Sequence, residues 1–96
     1  MQGKIYISGK ISGIENKAFE IFEMAEKELQ LRGFKTINPM KLDHDHDKTW
    51  DSYIKEDIKH LLECNSIYML NNWNDSKGAT IEHSIAILLD YKIEYQ

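Results

Sequence analysis

The feature that most constrains this chain is a hydrophobic pattern whose period switches back and forth along its 96 residues. Lys4-Ile5-Tyr6-Ile7-Ser8 is a short β-rich run ending at Gly9 and reads as a buried strand. A loop with Gly9, Ser12 and Gly13 follows. Ala18, Phe22, Ala25 and Leu29 then recur at the spacing of one helix face, which Gly33 stops just past Arg32. Phe34 to Ile37 reads as a second strand, closed by Asn38-Pro39. Residues 40–49 are polar and rich in Asp and His, as a surface loop should be.

The alternation continues to the end of the chain. Trp50, Ile54, Ile58, Leu61 and Leu62 mark a second helix, and Ser66 to Leu70 a third strand. Asn71 to Lys77 carry turn-forming residues. Gly78 opens a third helix bearing Ile81, Ile85, Leu88 and Leu89, and Lys92 to Tyr95 form a last strand. The order β-α-β-α-β-α-β predicts a small three-layer α/β/α domain with a mainly parallel sheet, flavodoxin- or Rossmann-like, joined by right-handed crossovers. With no repeat, linker or low-complexity tract, residues 1–96 read as a single domain. Sheets of this kind bind ligands outside the carboxyl ends of their strands. Those ends lead into the loops 9–15, 38–49 and 71–78.

Composition narrows the partners. A formal net charge of −4 argues against a nucleic-acid polymer, because phosphate backbones call for clustered Lys and Arg. No apolar run approaches the roughly 20 residues of a membrane span, so no membrane partner is expected. The chain enters its first strand without a signal-peptide pattern, and its one cysteine, Cys64, has no internal disulfide partner. A cytoplasmic location is the expectation.

Two carboxylates interrupt faces that should be apolar. Asp57 falls in the stripe Trp50, Ile54, Asp57, Leu61, and Glu82 shares a face with Ile85, Ala86 and Leu89. A buried, unpaired carboxylate costs several kcal/mol or takes up a proton. Either residue alone could instead sit at a stripe edge, reaching water or the helix dipole. Together they are the equipment of glycosidic chemistry, where one carboxylate attacks the anomeric carbon and the other handles a proton. Tyr6 reads as a core aromatic or as the hydroxyl that holds one carboxylate in place. Ser8-Gly9-Lys10-Ile11-Ser12-Gly13 offers backbone N–H groups, hydroxyls and an ammonium ahead of a helix, as an anion cradle or as an ordinary turn. Ser76-Lys77-Gly78-Ala79 is a second segment of that kind.

These segments carry a resemblance. Tyr6 to Gly13, then Asp57, then Ser76-Lys77-Gly78-Ala79-Thr80-Ile81-Glu82-His83 resemble the nucleoside 2-deoxyribosyltransferase superfamily, and within it a small phage and bacterial family of unknown function. The likeness runs nearly end to end, and the run from Trp73 to His83 is its most specific part. It implies action on the N-glycosidic bond of a deoxynucleoside or its 5′-monophosphate, by transfer or hydrolysis, without a cofactor. By resemblance Glu82 matches the nucleophile, Asp57 the carboxyl that handles the leaving base, and Tyr6 the tyrosine that orients the nucleophile. Ser76 and Gly78 match the turn that contacts phosphate or sugar in the related N-hydrolases. Those hydrolases carry a phosphate-binding arginine where Ser12 stands, and Lys10 is the nearby cation here. Asn65 stands where an aspartate is usual. The resemblance further implies a homodimer or larger assembly. A non-catalytic nucleotide-binding or sensing module is the alternative expectation.

Trp73 would stack on a base or pack against a neighbouring subunit. His83 would line the site or lie on the helix surface, and His60 on the surface. Cys64 reads as a small buried hydrophobe. His44-Asp45-His46-Asp47 has the right atoms for zinc or nickel, but adjacent residues on one loop converge poorly, and no metal is expected.

Overall fold

The computed structural model describes residues 3–44 and 48–96. Four strands, β1 (Lys4–Ser8), β2 (Lys35–Ile37), β3 (Ser66–Met69) and β4 (Lys92–Tyr95), alternate with three helices, α1 (Glu15–Leu31), α2 (Trp50–Leu61) and α3 (Lys77–Leu88). Single 3₁₀ turns at Pro39–Lys41 and Trp73–Asp75 follow β2 and β3. The sheet runs β2-β1-β3-β4 and every pairing is parallel. The chain steps from β1 to one side and then crosses back over it to β3, so the carboxyl ends of β1 and β3 flank a topological switch point.

The pleat sorts the core into two layers. Ile5 and Ile7 of β1, with Tyr68 of β3 and Leu70, pack on Ala18, Phe22, Ala25 and Leu29 of α1. Tyr6, Ile67 and Met69 point the other way, onto Leu61 of α2 and Ala79 and Ala86 of α3. One helix on one face and two on the other is the three-layer arrangement expected. α1 ends as its sequence indicated. Gly33, at φ 92°, donates to the Gln30 carbonyl and Phe34 to that of Leu29, closing the last turn.

The stripes of α2 and α3 are used differently from the expectation. Of α2, only Asp57 and Leu61 are buried, and Leu62 is 55% exposed. The buried side of α3 is Ala79, Glu82 and Ala86, whereas Leu88 is 83% and Leu89 50% exposed. Two alanines bring the α3 backbone close to the sheet, and the larger aliphatic residues are displaced outward. Glu82 lies six residues into α3, beyond its first turn. α3 opens at Lys77, one residue before Gly78, because Ser76 caps it by accepting from the Ala79 N–H at 3.0 Å. Among the described residues, no helix is long and apolar enough to cross a membrane.

Candidate functional site

A cleft of about 690 Å³ opens at the switch point, outside the carboxyl ends of β1, β2 and β3. Its floor is Glu82, 4% exposed, and the reason is strand geometry. Tyr6 and Ser8 are two apart on β1, so their side chains leave the same face of the sheet. The Glu82 carboxylate bridges them. Tyr6 Oη donates to Oε2 at 2.7 Å and Ser8 Oγ to Oε1 at 2.7 Å. Burial pushes the Glu82 carboxyl up to about 7, against the pull of these two bonds. Burial first, then the charges of Glu82 and Asp57, raises the Tyr6 phenol well above its ordinary value and keeps it a donor.

Asp57 reaches the same cleft from α2 and is 8% exposed. Its Oδ1 is buried without a hydrogen-bond partner among the described residues. Burial chiefly, then the charges of Glu82 and Glu56, pushes its carboxyl up to about 8. The two carboxyl groups thus differ in environment: Glu82 has two donors on its oxygens, and Asp57 Oδ1 has none among the described residues. This orders the two groups, with Glu82 the readier to ionise and Asp57 the readier to hold a proton, the division of labour that a nucleophile and a proton donor require. The break in the α2 stripe now has its explanation. Trp50, Ile54 and Asp57 share a face because that face is the cleft wall, and only Leu61, a turn further on, enters the core.

The remaining expected residues fall into three groups. Gly9, Lys10, Ser12, Ser76 and Gly78 line the cleft. At Gly9 the turn passes so close to Leu70 that a Cβ would lie 2.6 Å from its Cδ1, and the Lys10 N–H donates to Asn72 Oδ1 at 2.9 Å. These contacts tie the loops after β1 and β3 into one rim. At Gly78 a Cβ would come within 3.2 Å of Ile54 Cδ1, so the glycine sets how closely α3 approaches α2. Ser8 is fully buried and acts on Glu82 from beneath. Gly13 and Trp73 do not form part of the cleft wall. Trp73 stacks on His83 with ring centroids 4.2 Å apart, and the His83 ring bonds Tyr95 Oη at 2.7 Å. Neither Trp73 nor His83 is among the residues that line the cleft.

The structure adds residues that the pattern did not single out. Trp50 and Tyr53 of α2 stand at the cleft, Trp50 with the Lys77 ammonium 4.6 Å from its ring centroid. Pro39, Met40 and His44 make the wall beyond β2, so Met40 and His44 of the segment expected as a plain surface loop are part of the site. Glu26, 7% exposed on α1, anchors that wall through Lys41, Thr36 and Asn38. Burial works against its ionisation, but those bonds outweigh it and hold the carboxyl below its usual value. The signal for the α2 side of the cleft was present in the sequence, since an aspartate inside the apolar stripe with Trp50 marks that face as cleft-facing. Cys64 is buried, its thiol pushed up to about 11 by burial. Of the His44–Asp47 run, residues 45–47 lie outside the described residues. Among the described residues no group of three or more His, Cys, Asp and Glu is arranged to hold a metal.

The fold is shared with solved 2-deoxyribosyltransferases. That of the psychrotolerant bacterium Bacillus psychrosaccharolyticus has a TM-score of 0.73 and 17% identity, over 96% of this chain and 70% of that one. A 2-desoxiribosyltransferase from Leishmania mexicana has a TM-score of 0.72 and 12% identity, over 96% of this chain and 62% of that one. No curated protein sequence matches the chain. The sequence match that does hold spans residues 3–95, nearly the whole alternating pattern and both cleft carboxylates, and by it the chain belongs to the family described as Domain of unknown function (DUF4406).

Proposed function

We propose that this protein acts on the N-glycosidic bond of a deoxynucleoside or deoxynucleoside 5′-monophosphate. The observation that carries the reading is the buried Glu82 carboxylate, held by Tyr6 and Ser8 in the same cleft as the buried Asp57. Glu82 attacks C1′ as the C1′–N bond breaks, and Asp57 gives its proton to the departing base. The glycosyl ester on Glu82 is then released to water, whose proton returns to Asp57, or to a second base. Atoms and protons balance over both steps with no cofactor. The shared fold of the 2-deoxyribosyltransferases supports the same reading.

The cleft suits such a substrate along its length. Trp50 and Tyr53 offer faces for a nucleobase, and Lys10 with the first turn of α3 offers cations and N–H groups for a 5′-phosphate. Exposed Ile87, Leu88 and Leu89 suit the homo-oligomer that the resemblance implies.

The test is chromatography of the protein incubated with the four deoxynucleosides and their monophosphates, with and without an acceptor base. Free base that disappears in Glu82→Ala is the expected result, and a requirement for acceptor would make the enzyme a transferase. Unchanged turnover in Glu82→Ala would refute the assignment. Tight binding of a nucleotide without base release would replace it by a binding module.

A further inference from the structure

His44 is the one described cleft residue whose ring nitrogen approaches the unpartnered oxygen of Asp57. Its Nε2 lies 3.2 Å from the Pro39 carbonyl oxygen and 3.7 Å from Asp57 Oδ1. A carbonyl only accepts, so the bond to Pro39 requires the proton on Nε2. The same N–H is thus aimed between two acceptors, in hydrogen-bond range of one and a few tenths of an ångström beyond the other. Both side chains are nearly closed off from solvent, at 13% for His44 and 12% for Asp57. The imidazole is also braced by the Tyr53 ring, 4.7 Å away between centroids. Pro39 is itself held in place, because Asn38 accepts from the Met40 N–H and donates to Glu26.

From this geometry we infer that His44 is a positioning residue for Asp57, its Nε2–H turning from the Pro39 carbonyl to Asp57 Oδ1 when Asp57 becomes a carboxylate. The inference rests on the proposed glycosidic role of Asp57 for its catalytic meaning, and on the geometry alone for the contact. While Asp57 is protonated, Oδ1 is a weak acceptor and the Pro39 carbonyl holds the N–H. Once Asp57 has passed its proton to the departing base, the new carboxylate is the stronger acceptor, and bonds to a charged acceptor are about twice as strong. Glu82 from α3 and Glu56 on its own helix oppose the charge of Asp57, and the neutral phenol of Tyr6 donates to Glu82. Lys10 and Lys77 lie on the cleft rim with Glu15 and Asp75, balanced in sign. Among the described residues, His44 is therefore the donor placed to stabilise the anion that proton transfer leaves behind.

The experiment is a carbon-13 NMR titration of the Asp57 carboxyl in the unsubstituted protein, His44→Ala and His44→Gln, paired with steady-state turnover of each. With the donor removed, His44→Ala is expected to move the Asp57 midpoint upward by about one pH unit. His44→Gln, whose amide N–H can stand in for Nε2–H, is expected to return it toward the original value. Turnover should follow, with kcat in His44→Ala down about tenfold at unchanged KM. An unmoved midpoint, or a downward one from water entering the space left by the ring, overturns the inference. The titration needs no substrate, so its failure is separate from that of the glycosidic reading, which absence of turnover in the unsubstituted protein would overturn.

Discussion

Replacing Asp57 by Asn should change how stability depends on pH, and the size follows from the cleft. A carboxyl raised on folding is a destabilising group above its unfolded value and harmless below it. Unfolded, an aspartate ionises near about 3.9. Folded, Asp57 is pushed up to about 8, so between these limits the native state holds a proton that the unfolded chain has released. Stability is therefore lost as pH rises, at about 1.4 kcal/mol per unit, and levels off above the folded value. Asparagine has the same shape and no titration. Its fixed cost or gain drops out of the comparison between two pH values. From about pH 5 to about pH 7 the Asp57→Asn protein should gain roughly 2.7 kcal/mol on the unsubstituted one. At the usual sensitivity of a chain this size, that is a relative rise in Tm of at least about 10 °C. Glu82 titrates in both proteins, and while Asp57 is neutral its contribution is common to both. The assay is urea unfolding followed by circular dichroism at several pH values. A stability difference that stays constant across this range would mean that Asp57 ionises as an ordinary exposed carboxylate. That would remove the acid from the proposed mechanism.

Three further outcomes are expected. The rate of base release should follow a narrow bell with limbs near the Glu82 and Asp57 values of about 7 and about 8, since activity needs the first ionised and the second protonated; a flat profile measured by kcat/KM between pH 6 and 9 would contradict this pairing. Tyr6→Phe removes one of the two donors that favour the Glu82 anion, so the acidic limb of that bell should move upward by about one pH unit while the alkaline limb stays in place, as read from the same profile. Asp90 follows α3 with φ 62°, where the Tyr91 N–H closes the helix onto the Ala86 carbonyl, so Asp90→Gly should stabilise by about 1 kcal/mol and raise Tm in a thermal scan; a lower Tm would show that the Asp90 side chain contributes more than its backbone costs.

The layer plan and the presence of misplaced charge are legible in the chain alone. Period-two runs alternating with helical stripes admit a parallel sheet between helices, because parallel neighbours need a crossover and a crossover needs a helix. Asp57 and Glu82 stood out because a carboxylate on an apolar face must be explained by partners or by chemistry. What lies across from each face depends on the packed fold. Tyr6 is 76 residues from Glu82 in the chain and Ser8 is 74, and they meet because α3 is laid on the sheet over the end of β1. The same crossover geometry turned the Trp50–Asp57 face of α2 toward the cleft, swung Trp73 out onto His83, and put His44 beside Asp57. Periodicity records which side of an element is dry. Whether that side meets a core or a ligand cleft depends on how far the next element stands away, and that distance is set by packing between segments remote in the chain.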